Sequence, residues 1–146
     1  MGLFRSQYTF RNFGLLVLRV GIGAMFMLHG WPKLIGGPET WTKIGETMEL
    51  VGIHQFPVFW GFMAGFAEVI GGLLLALGFL FRPACILLLI TMIMAAIRHY
   101  AGGDGFGGYS HATEAAILFF SLLFIGPGKY SLDKKVFMKN QPRRLF

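Results

Sequence analysis

Residues 55–81, QFPVFWGFMAGFAEVIGGLLLALGFLF, form an apolar run interrupted by a single charged side chain, Glu68. A membrane-spanning helix needs about 20 such residues, so the run is long enough to cross a bilayer. A carboxylate at that depth is costly in lipid and therefore faces other helices, a partner or a water-filled cavity. Gly61, Gly65, Glu68 and Gly72 follow at i, i+4, i+7 and i+11, which puts three glycines and the acid on one helix face. A small-residue stripe lets a neighbouring backbone come close, so Glu68 is expected to point into a helix bundle.

The rest of the chain has the same character. Of 146 residues, 55% are apolar and 14% charged, far below the roughly 25% charged residues of soluble domains. Four apolar segments predict helices over about 13–34, 58–81, 83–100 and 111–125, in a single membrane domain spanning 1–146. The fourth is short for a bilayer and must start earlier, thin the membrane or sit partly in protein. Continuous apolarity rather than alternation argues for helices over a β-barrel. The predicted fold class is all-α: an integral membrane four-helix bundle with a short amphipathic helix in the first outer loop. That helix is read from Pro38, Glu39 and the spaced apolar positions Trp41, Ile44, Met48 and Val51, stopped at Gly52, and it lies on the surface or folds over the bundle as a lid. Glu39, Glu46 and Glu49 are expected to face solvent.

Cys85 is the only cysteine, which excludes an intrachain disulfide or a CxxC redox pair. Any redox role must then use a bound cofactor or substrate. Arg5 and Arg11 precede an apolar run without a convincing A-x-A cleavage site, so a retained first helix is expected. The net charge of +6 reflects basic residues beside membrane segments, where topology and anionic lipid explain them better than nucleic acid. Residues 127–146 read as a basic cytoplasmic tail, either a lipid anchor or a docking site for a soluble partner.

Polar residues within the apolar segments are the candidate site. The first helix carries Arg19, then His29 and Lys33 near Pro32, which is expected to bend or end it. Lys33 either snorkels to the interface or faces inward. Arg19 lies deeper and is expected to meet an acid or backbone carbonyls. The third helix ends in Arg98, His99 and Tyr100. Five glycines between Gly102 and Gly108 resemble a phosphate loop only loosely, without GK[ST], and read as a flexible loop over a site. Ser110 then caps a helix with His111 and Glu114 at i and i+3. A weak repeat, His29 and His99 on the odd helices with Glu68 and Glu114 on the even ones, would gather four polar groups around one centre.

The segments LRVGIGAMFMLHGWPKL (18–34), FAEVIGGLLLALG (66–78) with Arg82 after it, the helix ending in His99, and HATEAAILFF (111–120) resemble the DoxX/DoxD family of small four-helix bacterial membrane proteins. The resemblance covers about Phe13 to Ile125 and implies a four-helix bundle whose polar positions are Arg19, His29, Lys33, Glu68, His99 and Glu114. The family takes its name from subunits of a thiosulfate:quinone oxidoreductase. The resemblance thus implies a redox-associated subunit in the bacterial inner membrane, binding a quinone or similar lipophilic ligand in the outer half of the bundle. Glu68, His99 and Glu114 are the expected catalytic groups. Arg19, His29, Lys33, Trp31, Trp60 and His111 are the expected binding groups, with a quinone favoured over haem or metal. Anionic lipid, redox subunits and a second copy of the chain are the expected partners. The alternative is an assembly module that anchors soluble redox partners without its own chemistry.

Orientation follows from charge. Nine Lys or Arg lie in the tails and second connection, against Lys33, Lys43 and Arg98 in or beside the other two, setting Arg19 aside. The positive-inside rule places both termini in the cytoplasm. A reporter active only in the cytoplasm is expected to work when fused after Phe146; activity of a periplasmic reporter alone at that position would reverse the topology.

Overall fold

The computed structural model describes residues 10–137. Helix α1 (Arg11–Ile35) is followed by α2 (Gly37–Gly45), a 3₁₀ turn (Glu46–Val51), α3 (Pro57–Leu77), α4 (Phe81–Ala101), α5 (Gly105–Ile125) and α6 (Leu132–Phe137). Helices α1, α3, α4 and α5 are each long and apolar enough to span a membrane. Phe13, Val17 and Leu28 of α1, Ile86 and Ile93 of α4, and Ile117, Phe120 and Phe124 of α5 all face outward. So much exposed apolar surface requires lipid around it, and the protein is an integral membrane four-helix bundle.

Three boundaries differ from the sequence expectation, each for a local reason. Helix α3 stops at Leu77 rather than 81, because Gly78 takes a left-handed conformation (φ 62°) and donates its N–H to the Leu74 and Leu75 carbonyls. Helix α4 starts at Phe81 rather than 83, leaving Pro83 in its first turn, where a missing N–H costs nothing. Helix α5 starts at Gly105, so Gly105, Gly107 and Gly108 of the stretch expected as a flexible loop are helical, only Gly102 to Asp104 remain a turn, and Ser110, expected as a cap, is buried within the helix. Backbone groups at membrane depth need internal partners, which outweighs the poor helix propensity of glycine. Pro32 does not end α1, which runs on to Ile35.

Helix α3 is the packing centre. It runs antiparallel to α1, and the two touch through glycines. A Cβ at Gly23 would fall on the Gly72 carbonyl oxygen, one at Gly30 would lie 2.6 Å from the Glu68 Cβ, and one at Gly65 would lie 2.9 Å from the Leu34 nitrogen. A Cβ at Gly61 would fall on the Trp41 carbonyl oxygen of α2. The stripe Gly61, Gly65, Glu68 and Gly72 therefore does what its spacing predicts, holding α1 and α2 at backbone contact.

Leu75, Phe81, Cys85, Leu88, Met92, Phe119 and Leu122 form the core with Leu15, Leu18, Ile22 and Phe26 packed against it. An edge-to-face pair, Phe26 and Phe119 with centroids 4.9 Å apart, joins α1 to α5. This core fills the half of the bundle nearest the start of α1 and the end of α5. Its tight α3–α4 turn is fastened by the tail: Asp133 accepts the Leu80 and Phe81 N–H groups at 2.8 and 2.9 Å, and donates its own N–H to the Gly78 carbonyl. Those bonds hold Leu80 in a left-handed conformation (φ 45°) that a residue with a side chain otherwise avoids. Lys139, Arg143 and Arg144 of the expected basic tail lie outside the described residues.

At the opposite end, α2 and the 3₁₀ turn fold back over α3 and α4, realising the lid form of the expected helix. Trp41 Nε1 donates to the Lys33 carbonyl at 2.8 Å, and Arg98 Nη1 donates to the Lys43 carbonyl and Thr47 Oγ1 at 2.7 and 3.0 Å. The change to a tighter turn at Glu46 shifts the face of the helix, so Val51, expected inward with Trp41, Ile44 and Met48, is 46% exposed. Glu39, Glu46 and Glu49 are exposed as expected.

Gly61→Ala is expected to lower the melting temperature of the purified protein by an overpacking cost of about 1–3 kcal/mol. Gly14→Ala, where a Cβ meets nothing within 4 Å, should leave it unchanged or slightly raised. Equal behaviour of the two variants would contradict the α2–α3 contact.

Candidate functional site

Because the core occupies one half of the bundle, the other half is left unfilled between α3 and α4 beneath the lid. A cavity of about 500 Å³ opens there, within the ordinary size range of small-molecule sites. Phe59, Trp60, Met63, Ile90 and Met94 give it mostly apolar walls, and Thr47 and Met48 of the lid close over it. Its polar groups are Lys33, Glu68, Thr91, Arg98 and His99.

Lys33 and Glu68 meet in its wall. The Lys33 Nζ donates to both Glu68 oxygens, at 2.7 and 2.8 Å. The Glu68 side chain is 2% exposed and that of Lys33 is 38% exposed, so the pair presents its ammonium side to the cavity. This decides between the two readings of Lys33, which faces inward rather than snorkelling away. The meeting depends on Gly30, one turn before Lys33, which lets the α1 backbone close on the Glu68 stem. An unpaired carboxylate here would carry a large desolvation penalty, and the bidentate ammonium offsets it.

His99 lines the same cavity from α4, and its Nδ1 is hydrogen-bonded to Asp104 Oδ2 at 2.6 Å. Trp60 lines it from the first turn of α3, donating Nε1 to the Gln55 carbonyl at 3.0 Å and packing edge-on against Phe59. Lys33, Trp60, Glu68 and His99 are the candidate residues that the fold brings together.

Arg19, His29, Trp31, His111 and Glu114 lie outside the cavity. Arg19 is 14 residues before Lys33, about 20 Å along α1. It is fully buried and donates Nη2 to the Tyr130 carbonyl at 2.8 Å, while its Nε and Nη1 have no partner among the described residues. Of the partners expected for it, a backbone carbonyl rather than an acid holds it, and it does not pair with Glu68. His29 is exposed on α1, and Trp31 is 55% exposed on the lipid side. His111 and Glu114 face each other at 4.0 Å on the exposed side of α5, which contributes nothing to the cavity. The proposed repeat of His29, Glu68, His99 and Glu114 around one centre therefore does not form, since His29 and Glu114 turn outward while Glu68 and His99 line the cavity.

Arg98, Thr91, Met94 and Asp104 are site residues that sequence reasoning passed over. The signal was present: Leu87, Thr91, Met94 and Arg98 follow at i, i+4, i+7 and i+11, the same spacing as the α3 stripe. Arg98 was noted at the end of its helix and counted for topology without a site role, and Asp104 lay in the stretch read as a loop.

A four-helix membrane protein with a lidded, mostly apolar cavity and a buried Lys–Glu pair is the class that these features define. The sequence model of the DoxX family matches residues 14–101, more than half of the chain, and the protein belongs to that family. The match spans α1 to α4 and every residue that lines the cavity; HATEAAILFF lies beyond it. An uncharacterized protein of Haemophilus influenzae is 33% identical over 89% of this chain and 96% of its own. An uncharacterized membrane protein of Mycobacterium tuberculosis is 29% identical over 83% of this chain and 80% of its own. The inner membrane protein YphA of Escherichia coli is 29% identical over 83% of this chain and 89% of its own. No solved structure matches the chain.

Replacing Lys33 by Leu leaves Glu68 buried without a partner and should destabilise the protein by a few kcal/mol, near the lower end of about 3–5 because Lys33 is partly exposed. Lys33→Leu with Glu68→Leu should recover most of that loss in a thermal melt. Additive losses in the double variant would mean the two side chains do not interact.

Proposed function

We propose that the protein binds a quinone or similarly lipophilic ligand in the cavity under the lid, as a membrane subunit of a redox system in the bacterial inner membrane. The observation that carries this reading is the Lys33–Glu68 pair opening onto an apolar space of about 500 Å³. A quinone needs a slot for its ring and prenyl chain, a donor for a carbonyl and a route for the protons taken up on reduction. Phe59, Trp60 and the methionines supply the slot, methionine being adaptable to irregular shapes. Lys33 supplies the donor, and Glu68 is the group that would pass a proton to it. His99, oriented by Asp104, is a second proton-bearing group at the lid side.

In this reading both termini are cytoplasmic and the cavity lies in the outer half of the membrane. Lys129, Lys134, Lys135 and Arg82 then sit at the inner surface among anionic lipid headgroups. The alternative, a module anchoring soluble redox partners, is favoured by a different observation. The segment after α5 is pinned to the bundle by Arg19 and Asp133, which would present α6 in a fixed position to a partner.

Decylubiquinone is expected to raise the melting temperature of the detergent-purified protein, and Glu68→Gln to keep normal abundance while losing most of that shift. No shift with any quinone, together with no co-purifying quinone, would rule the reading out.

A further inference from the structure

We infer that the cavity selects a lipophilic anion, a single apolar chain ending in a carboxylate or phenolate, and that Lys33 and Arg98 together read its charge. The inference rests on the reading of the cavity as a ligand site and adds to the neutral quinone a second class of ligand that the same wall would prefer over other single-chain amphiphiles.

It follows from a count of charges and hydrogen-bonding groups on the wall. Lys33 and Arg98 are cationic and Glu68 is the only carboxylate among the lining residues. Both oxygens of Glu68 are taken by Lys33, so its negative charge is already answered. Lys33 retains one N–H beyond the two it gives to Glu68. Arg98 uses Nη1 alone to hold the lid, leaving Nε and Nη2 without a protein partner among the described residues. The Thr91 hydroxyl donates to the Leu87 carbonyl, and Thr47 Oγ1 accepts from Arg98. Asp104 lies behind His99, bonded to it and half exposed to screening solvent.

The wall thus offers spare donors and one surplus positive charge inside a mostly apolar space. A neutral alcohol would answer one donor and none of the charge, and an ammonium head would add a third cation. An anionic head answers both, and hydrogen bonds to charged groups are the stronger ones. Gly71 packs on Leu88, so Glu68, three residues nearer the lid on α3, lies level with Thr91 on the antiparallel α4, and Arg98, seven residues beyond Thr91, sits about 10 Å higher. An anion entering under the lid would meet Arg98 first and Lys33 at the end of its path.

The test is binding of tritiated dodecanoate to the full-length protein in neutral detergent, displaced by unlabelled dodecanoate, dodecanol or dodecyltrimethylammonium. Dodecanoate should compete about tenfold more tightly than dodecanol, and the ammonium least of all. Arg98→Gln, at an exposed position, removes the surplus charge and should shrink the preference severalfold, whereas Lys33→Gln with Glu68→Gln, which leaves the net charge of the wall unchanged and removes the charged donor, should shrink it by a smaller factor. The ratio of the competitors is unaffected by a lid that loosens for all of them. Equal competition by the three heads, a preference that survives both variants, or no displaceable label would overturn the inference. Decylubiquinone stabilisation is independent of this series, so the wider reading stands or falls separately.

Discussion

A carboxylate buried at membrane depth has to be answered, and the Lys33–Glu68 pair is the answer on which the rest of the structure depends. Two oxygens held at 2.7 and 2.8 Å by one ammonium require α1 and α3 to lie at backbone contact. Glycine makes that possible at Gly23, Gly30, Gly65 and Gly72. With α1 and α2 both drawn onto α3, the space on its other side is left to α4 alone. There Ala64 and Ala67 are too small to fill it. The cavity is the geometric remainder of the contact that pairs the charges.

The two ends of the bundle are built differently. At the end where α1 begins and α5 ends, large apolar side chains close the core, Asp133 ties the segment after α5 to the α3–α4 turn, and Arg19 ties it to α1. At the lid end, closure relies on a few polar bonds: Trp41 to the Lys33 carbonyl, and Arg98 to Lys43 and Thr47. An end held by few, partly exposed hydrogen bonds is the one that opens at lowest cost. The firmer closure thus sits beneath the cavity and the weaker one above it, the order that the proposed ligand site would need.

Much of this was legible in the sequence. The α3 stripe stood out because glycine at helical spacing has few other uses in a membrane span, and Glu68 stood out because charge there is rare. The class, the lid and the DoxX family followed from the same residues. What misled was treating each polar residue inside an apolar helix as part of one cluster. Helical spacing gives a face but not its neighbour, so His29, one residue before Gly30, turned out to face outward while Lys33 faced in. Arg19 was expected to meet an acid or backbone carbonyls, and because it lies about four turns along α1 from Lys33, the Tyr130 carbonyl and not Glu68 is within its reach. The glycine-rich 102–108 stretch was read by propensity, whereas the bilayer's demand for internal hydrogen bonds made most of it helix.

The central claim is that ligand chemistry takes place at the Lys33–Glu68 wall of the lidded cavity. Photolabelling of the intact protein with a short-chain azidoquinone, followed by mass-spectrometric mapping of the modified residues, addresses it most directly. Labels on Trp60, Met63 and Met94 that disappear with excess unlabelled quinone are the predicted result. Labels confined to the outward faces of α1 and α5, at Phe13, Leu28, Ile117 or Phe124, would contradict it.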